Sequence, residues 1–222
     1  FATMFELQII RFEEIDSTNS EARRHLDHAG EGTVWTASFQ TNGRGQYSRI
    51  WESNKGLNLL ATLLLRPVFL PANRQFLISK CTALAICDFL VTLDLSASIK
   101  WPNDIYIGPN KICGILIEHQ LSGNNLTSSI IGFGINVNQT KFQGAPNPTS
   151  IAIETGVLHD VDVLLPQVLQ QIQKWYQTLC NGDSGKIDRS YDKLLINKPD
   201  YEKNRAIDAA NFLAAVPGPS SD

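Results

Sequence analysis

The sequence predicts an α+β fold: a mixed, mostly antiparallel sheet flanked by helices. Three observations point to the sheet and its helices. Ile105-Tyr106-Ile107 and the apolar run Ile112–Ile117 are extended segments joined by Gly108-Pro109-Asn110, strong turn chemistry that makes neighbouring strands antiparallel. Two long stretches, about Asn73–Leu93 and Val161–Cys180, repeat their apolar residues at helical spacing. The coarse order is strand, helix, several strands, helix, several strands, helix, which suits a layered sandwich.

Phe5–Phe12 reads as the first strand, and Ser17-Thr18-Asn19-Ser20-Glu21 opens a helix to about Ala29. Ser17 or Thr18 can cap that helix, and the same hydroxyls at a helix N-terminus can hold a small polar ligand. Gly32–Phe39 is a second strand running into Gln40-Thr41-Asn42-Gly43-Arg44-Gly45-Gln46-Tyr47-Ser48-Arg49-Ile50-Trp51. Leu57–Arg66 is a long strand interrupted near its start by Asn58, and Leu77, Cys81, Leu84, Ala85 and Phe89 mark the core face of the following helix. Ser96–Trp101 is extended, and Thr127–Val137 is a buried strand whose Gly132 and Gly134 allow close packing. In Val161–Cys180 the apolar face is Leu164, Val168, Ile172, Trp175 and Leu179. After Asn181, Asp183-Ser184-Gly185 reads as a turn, Tyr191–Ile196 as a short helix, and Asn211–Asp222 as a frayed tail.

At 222 residues the chain suits one substantial domain with a small appendage, and its net charge of −3 gives no hint of bulk nucleic-acid affinity. Four cysteines without CxxC spacing read as reduced thiols in a cytosol, and no run is long enough to span a bilayer. His25 and His28 lie three apart on the first helix, and no further His or Cys completes a metal site.

Two stretches carry candidate chemistry. Glycines flanking Arg44, with Arg49 after them, offer N–H groups and guanidinium forks to phosphate or carboxylate. The loop has neither the GxxxxGK[ST] of a Walker motif nor dinucleotide-fingerprint spacing. In Lys100–Glu118, Lys100, Asn103 and Asp104 precede the reversal and Lys111 enters the second strand. A lysine heading an apolar strand either snorkels to water or awaits an anion, and this stretch alone allows both.

Ser17-Thr18-Asn19, Gln40 before Gly43-Arg44-Gly45, Arg49 with Trp51, Lys100-Trp101-Pro102-Asn103-Asp104, Lys111 with Gly114-Ile115-Leu116, and Gly134-Ile135-Asn136-Val137 together resemble the catalytic domain of biotin protein ligases, over roughly Phe5 to Cys180. The resemblance implies a sheet and helices of the class II aminoacyl-tRNA synthetase-like, or biotin–lipoate ligase, fold, and ATP-dependent attachment of biotin to a lysine of a biotin carboxyl carrier domain, through biotinyl-5′-AMP. It implies Lys111 and Arg44 as catalytic residues. Ser17, Thr18, Asn19, Gln40, Arg44, Gly45, Gln46, Lys111 and Gly114 would hold biotin. Arg44, Arg49, Trp51, Lys100, Asn103, Asp104 and Asn136 would hold ATP, with Asp104 serving the Mg2+ that ATP carries.

Many members of that family place a basic residue directly after the glycine–arginine–glycine triplet, where Gln46 and Tyr47 leave this loop less cationic. The sequence begins at the catalytic domain's first strand with no helix-turn-helix region ahead of it, so no DNA-binding repressor role and no nucleic-acid partner are expected. The expected division is a catalytic domain over 1–180 and a C-terminal segment over 181–222, a truncated or divergent remnant of the family's small β-barrel. The expected partner is the carrier domain, met around Gly108–Asn110 and the loop near Arg44, with the chain cytoplasmic, off membranes, and monomeric or weakly dimeric. Lipoate–protein ligases and octanoyltransferases share the fold type, but the arginine pair, glycine triplet and histidine expected of them are absent. Cys113 could suggest a thioester, yet its flanks are those of a strand, where a buried thiol is common. A biotin-binding module without catalysis is the third reading.

Overall fold

In the computed structural model, which describes residues 5–46, 49–196 and 198, the chain folds as β1 (Gln8–Ile15), α1 (Thr18–Arg24), β2 (Thr33–Gln40), β3 (Leu59–Leu65), α2 (Phe76–Val91), β4 (Ala97–Lys100), β5 (Asp104–Ile107), β6 (Asn110–Ser122), β7 (Asn125–Ile135), α3 (Ile151–Thr155), α4 (Val161–Cys180) and α5 (Ser184–Leu194). One seven-stranded sheet has the order β1-β2-β3-β7-β6-β5-β4. β1 and β2 are parallel across the α1 crossover, and every other named pair is antiparallel. The mixed, mostly antiparallel sheet flanked by helices that the sequence predicts is the observed fold.

The central strands read as nearly unbroken apolar runs because both of their faces are covered. On β3, Leu59, Ala61, Leu63 and Leu65 join a large core with residues of α2 and α4. Leu64 on the opposite face packs in a smaller cluster with Ala22, Leu26, Trp35 and Ile130. Helices α2, α4 and α5 thus lie on one face, while α1 covers part of the other and leaves the rest for a cavity.

Several boundaries differ from the sequence reading, each for a local reason. α1 stops at Arg24, with His25 as its C-cap, and 25–29 continue in single turns rather than to Ala29 as helix. Asp183-Ser184-Gly185 is a helix start: the Asp183 carboxylate accepts from the Lys186 N–H and α5 begins at Ser184. Its Ile187 and Tyr191 are fully buried in the large core, so this helix packs as part of the main body. Beyond it, Leu195 bridges Ile99 of the edge strand β4. The short α3 is absent from the sequence reading, and the tail Asn211–Asp222 lies outside the described residues. Among the described residues, no helix is long and apolar enough to cross a membrane.

The four cysteines are free. Burial pushes the Cys87 thiol up to about 12 and Cys113 well above its ordinary range, so Cys113 is an inert core thiol rather than a thioester nucleophile. His119 on β6 sits 2.8 Å from the Ser129 hydroxyl through Nδ1, its Nε2 is buried without a partner, and burial pushes its pKa down to about 4. The unfolded chain therefore takes up this proton first as pH falls. The stabilisation is complete above about 6.5 and is lost as pH falls toward 4. Urea midpoints of His119→Gln should change less between pH 7 and 4.5 than those of the unsubstituted protein.

Candidate active site

A cavity of about 1100 Å³ opens over the sheet face that α1 leaves bare. Every residue that the sequence singled out for biotin, ATP or catalysis lines it, from Ser17 through Asn136. The floor is β7, whose Gly132, Gly134 and following Asn136 share one face at two-residue spacing.

Over Gly132 stands a polar ladder. The Gln40 Oε1 accepts the Thr18 N–H at 2.8 Å and the Thr18 hydroxyl at 3.0 Å. The Thr62 hydroxyl lies 2.8 Å from Thr18 Oγ1 and 2.7 Å from Asn19 Oδ1, and its single proton serves only one of them at a time. Asn19 Nδ2 donates to the Leu116 carbonyl and to Glu118, each at 3.2 Å. Ser17 occupies the N-cap position of α1, but its side chain makes no capping hydrogen bond. The capping account of these hydroxyls is therefore set aside for Ser17, while Thr18 is bound to Gln40. Beside the ladder, hydrogen bonding to the Arg24 guanidinium holds the Asp16 carboxyl down at about 2.

Over Gly134 and Gly114 lies Trp51. A Cβ on Gly134 would fall 2.6 Å from the indole Nε1, and one on Gly114 2.8 Å from its ring, so only glycine leaves room here. Gly43 is needed for the same kind of reason: a Cβ there would fall 2.8 Å from the Trp51 carbonyl, and neither Gly43 nor Gly45 has a positive φ. The arginine-glycine loop folds back on itself, with Arg44 bridging Ile50 and the Trp51 N–H reaching Gly43 O at 3.0 Å. Tyr47 lies outside the described residues.

Lys111 reaches the cavity because of a bulge. Strict alternation from Gly114 would send Ile112 into the cavity and Lys111 into the core. The register skips Ile112 between the pairs Ile105–Cys113 and Tyr106–Lys111. Ile112 and Cys113 are both fully buried in the core and Lys111 turns to the cavity face. Its ammonium is 2.7 Å from Asp104 Oδ1 and 5.5 Å from the Trp51 ring centroid. Its N–H donates to Asn147 O at 2.7 Å, and its carbonyl accepts from Thr149 at 2.9 Å. Lys111 is therefore neither snorkelling nor vacant: it is fixed and paired with Asp104.

The remaining predicted residues divide by what they touch. Asn103 donates to the Ile115 carbonyl at 2.5 Å and accepts the Ile115 N–H at its own carbonyl at 3.0 Å, which ties the turn to β6. Lys100 is exposed and rests 5.3 Å from the Tyr106 ring centroid. Arg44 Nη2 is 3.3 Å from Glu118, which also binds Arg23, so this guanidinium sits on a carboxylate. Arg49 is exposed at the rim. Asn136 is 4% exposed; its Nδ2 donates to Thr149 O, and its Oδ1 is buried with no hydrogen-bond partner. Among the described residues, no group of three or more His, Cys, Asp or Glu side chains is placed to hold a metal.

Sequence reading missed the segment over 139–149, which contributes Phe142 and the tip from Gln143 to Pro146 to the cavity wall, and missed Glu52 and Glu118. None carried a local signal, since each works through a contact distant in sequence.

The biotin/lipoate A/B protein ligase family model matches residues 11–136. The bifunctional ligase/repressor BirA of Bacillus spizizenii is 36% identical over 135 residues, covering 60% of this chain and 41% of that protein. The biotin–[acetyl-CoA-carboxylase] ligase of Paracoccus denitrificans is 33% identical over 176 residues, covering 74% of this chain and 71% of that one. The chain thus spans about two fifths of the length of the Bacillus relative (41%) and most of the Paracoccus one. Among solved structures, a biotin protein ligase from Aquifex aeolicus in complex with biotin and ATP is 30% identical with a TM-score of 0.68, over 78% of this chain and 72% of its own. One from Leishmania major in complex with biotinyl-5-AMP is 26% identical with a TM-score of 0.70, over 86% of this chain and 82% of its own.

Proposed function

This chain belongs to the biotin/lipoate A/B protein ligase family, and we propose that it joins biotin to ATP as biotinyl-5′-AMP and then passes the biotinyl group to a lysine of a biotin carboxyl carrier domain. The observation that carries this reading is the order of groups along β7. The polar ladder stands over Gly132, Trp51 over Gly134 with the Lys111 ammonium 5.5 Å from its ring centroid, and a buried, unpaired acceptor at Asn136. At about 3.3 Å per residue these stations span roughly 13 Å. That length suits an uncharged bicyclic head on the ladder, two anions meeting at Lys111, and a base at the Asn136 end.

In the first step a biotin carboxylate oxygen bonds to the α-phosphorus of ATP, and the bond from that phosphorus to the pyrophosphate oxygen breaks. Lys111 screens the approach of the two anions and gains strength as charge builds on the phosphate oxygens. Asp104 and Trp51 hold the ammonium in place before they arrive. Mg2+ would enter with ATP, and Asp104, which lines the cavity beside Lys111, is the carboxylate that would serve it. In the second step the carrier lysine amine attacks the acyl carbon, the acyl–phosphate bond breaks, AMP departs, and the amine gives up a proton. The carrier would approach by the β5–β6 reversal at Gly108–Asn110 and the loop near Arg44. Residues 1–180 would carry the chemistry, with 181–222 as a C-terminal segment of which α5 packs on the core.

The family description includes lipoate ligases, but the Paracoccus denitrificans relative and the Aquifex aeolicus structure bear the biotin name, which supports biotin as the acid. The test is pyrophosphate release from ATP without any carrier. It should require biotin and be left unstimulated by lipoate; equal stimulation by lipoate would overturn the assignment of the acid.

A further inference from the structure

We infer that Glu52 is a positioning residue that latches the arginine-glycine loop to the segment over 139–149, so that the two walls of the cavity order together. Resting on the ligase reading above, it assigns to one carboxylate the coupling between the acid and nucleotide halves of the site. Glu52 Oε1 accepts the Gln143 N–H at 2.8 Å and Oε2 accepts the Gly144 N–H at 2.9 Å. A carboxylate bridging two successive amides is charge-assisted at both oxygens, and a neutral amide could keep only one of them.

Each wall is anchored at its base, and the latch joins the tips. Gln139 is fully buried, and its Oε1 accepts from Asn54 N at 2.9 Å and Asn58 Nδ2 at 2.7 Å. At its other end, the 139–149 segment is bonded to the backbone of Lys111 through Asn147 and Thr149. Gln143 and Gly144 at the tip are exposed, without core packing to fix them. Glu52 follows directly on Trp51, whose indole lies on Gly114 and Gly134 beside Lys111. The latch therefore holds both walls ordered before a ligand arrives, and each ligand binds with less ordering left to do.

The test compares the full chain with Glu52→Ala and Glu52→Gln. In the ligand-free protein, amide hydrogen exchange at Gln143 and Gly144, and at Trp51 across the cavity, should speed up about tenfold in Glu52→Ala and less in Glu52→Gln. Biotin and a non-hydrolysable ATP analogue, titrated singly, should each bind Glu52→Ala about three- to tenfold more weakly, because each then has to order its own wall on binding. Unchanged exchange at Trp51, or single binding of both ligands within about twofold of the unsubstituted protein, would each overturn the latch. If the unsubstituted protein binds neither ligand, the ligase reading fails, and exchange at Trp51 alone decides the latch.

Discussion

Lys111→Met should lower the rate of biotinyl-adenylate formation by about 10²–10³, the loss expected on removing one preorganised donor from a developing oxyanion. The chain at this point is held by pairing with Tyr106 on one side and by Asn147 and Thr149 on the other, so the backbone should tolerate the change. Methionine keeps much of the lysine's length and its packing on Trp51, leaving the lost charge as the main difference. Asp104 then loses its cation; because both side chains are partly exposed at about a quarter each, water can replace the ammonium and folding should persist. Biotin should still bind, more weakly, since its head would rest on the ladder over Gly132. Lys111→Arg should restore only part of the rate, because a planar fork cannot occupy the compact position between two anions. Stopped-flow measurement of adenylate formation reads this directly. A methionine variant within about threefold of the unsubstituted rate, far inside the predicted loss, would remove Lys111 from the chemistry.

Gly132→Ala should weaken biotin binding by roughly 30- to 100-fold and cost about 2–3 kcal/mol of stability, the scale of unmaking hydrogen bonds of a buried polar group. A Cβ at this position would lie 2.0 Å from Asn19 Oδ1. Asn19 is 4% exposed and held by Thr62, the Leu116 carbonyl and Glu118, so turning aside would break those bonds. The strain should vanish when its partner is removed. In an Asn19→Ala background, Gly132→Ala should cost little more, a non-additivity that identifies the clash as the cause. Calorimetric titration with biotin and urea unfolding of the two single variants and the double variant measure both effects. Additive losses would mean that Gly132 matters for the sheet alone.

Much of this site could be read in the sequence because its residues stand out against their local pattern. Lys111 is a charge at the head of an apolar strand, and Ser17-Thr18-Asn19 is a polar cluster at a helix start. The bounds of α4 were legible for similar reasons: its apolar residues keep a strict helical period behind the capping Asp160. What periodicity could not convey was the bulge at Ile112, since the decisive fact is the skipped pairing with β5 rather than any residue type. β6 extends to Ser122 beyond the apolar run because polar Glu118, His119 and Gln120 pair with β7, and pairing partners are invisible in one chain's local pattern. The parallel register of β1 and β2 was hidden in the same way. Asp104 stands out in the sequence as a carboxylate for a nucleotide's metal, but its pairing with Lys111 joins residues on two strands and carried no local signal. The Glu52 latch was beyond reach because its two amide partners lie 91 and 92 residues away in sequence.

The most direct test of the account is transfer itself. The protein is incubated with ATP, Mg2+, biotin and a biotin carboxyl carrier domain, and the intact mass of the carrier is followed with lipoate present as a competing acid. The carrier should gain one biotinyl group on its acceptor lysine, only when ATP is present, with AMP and pyrophosphate released in equal amounts. A carrier that stays unmodified while the protein still binds biotin, or one that gains lipoyl in place of biotinyl, would contradict it.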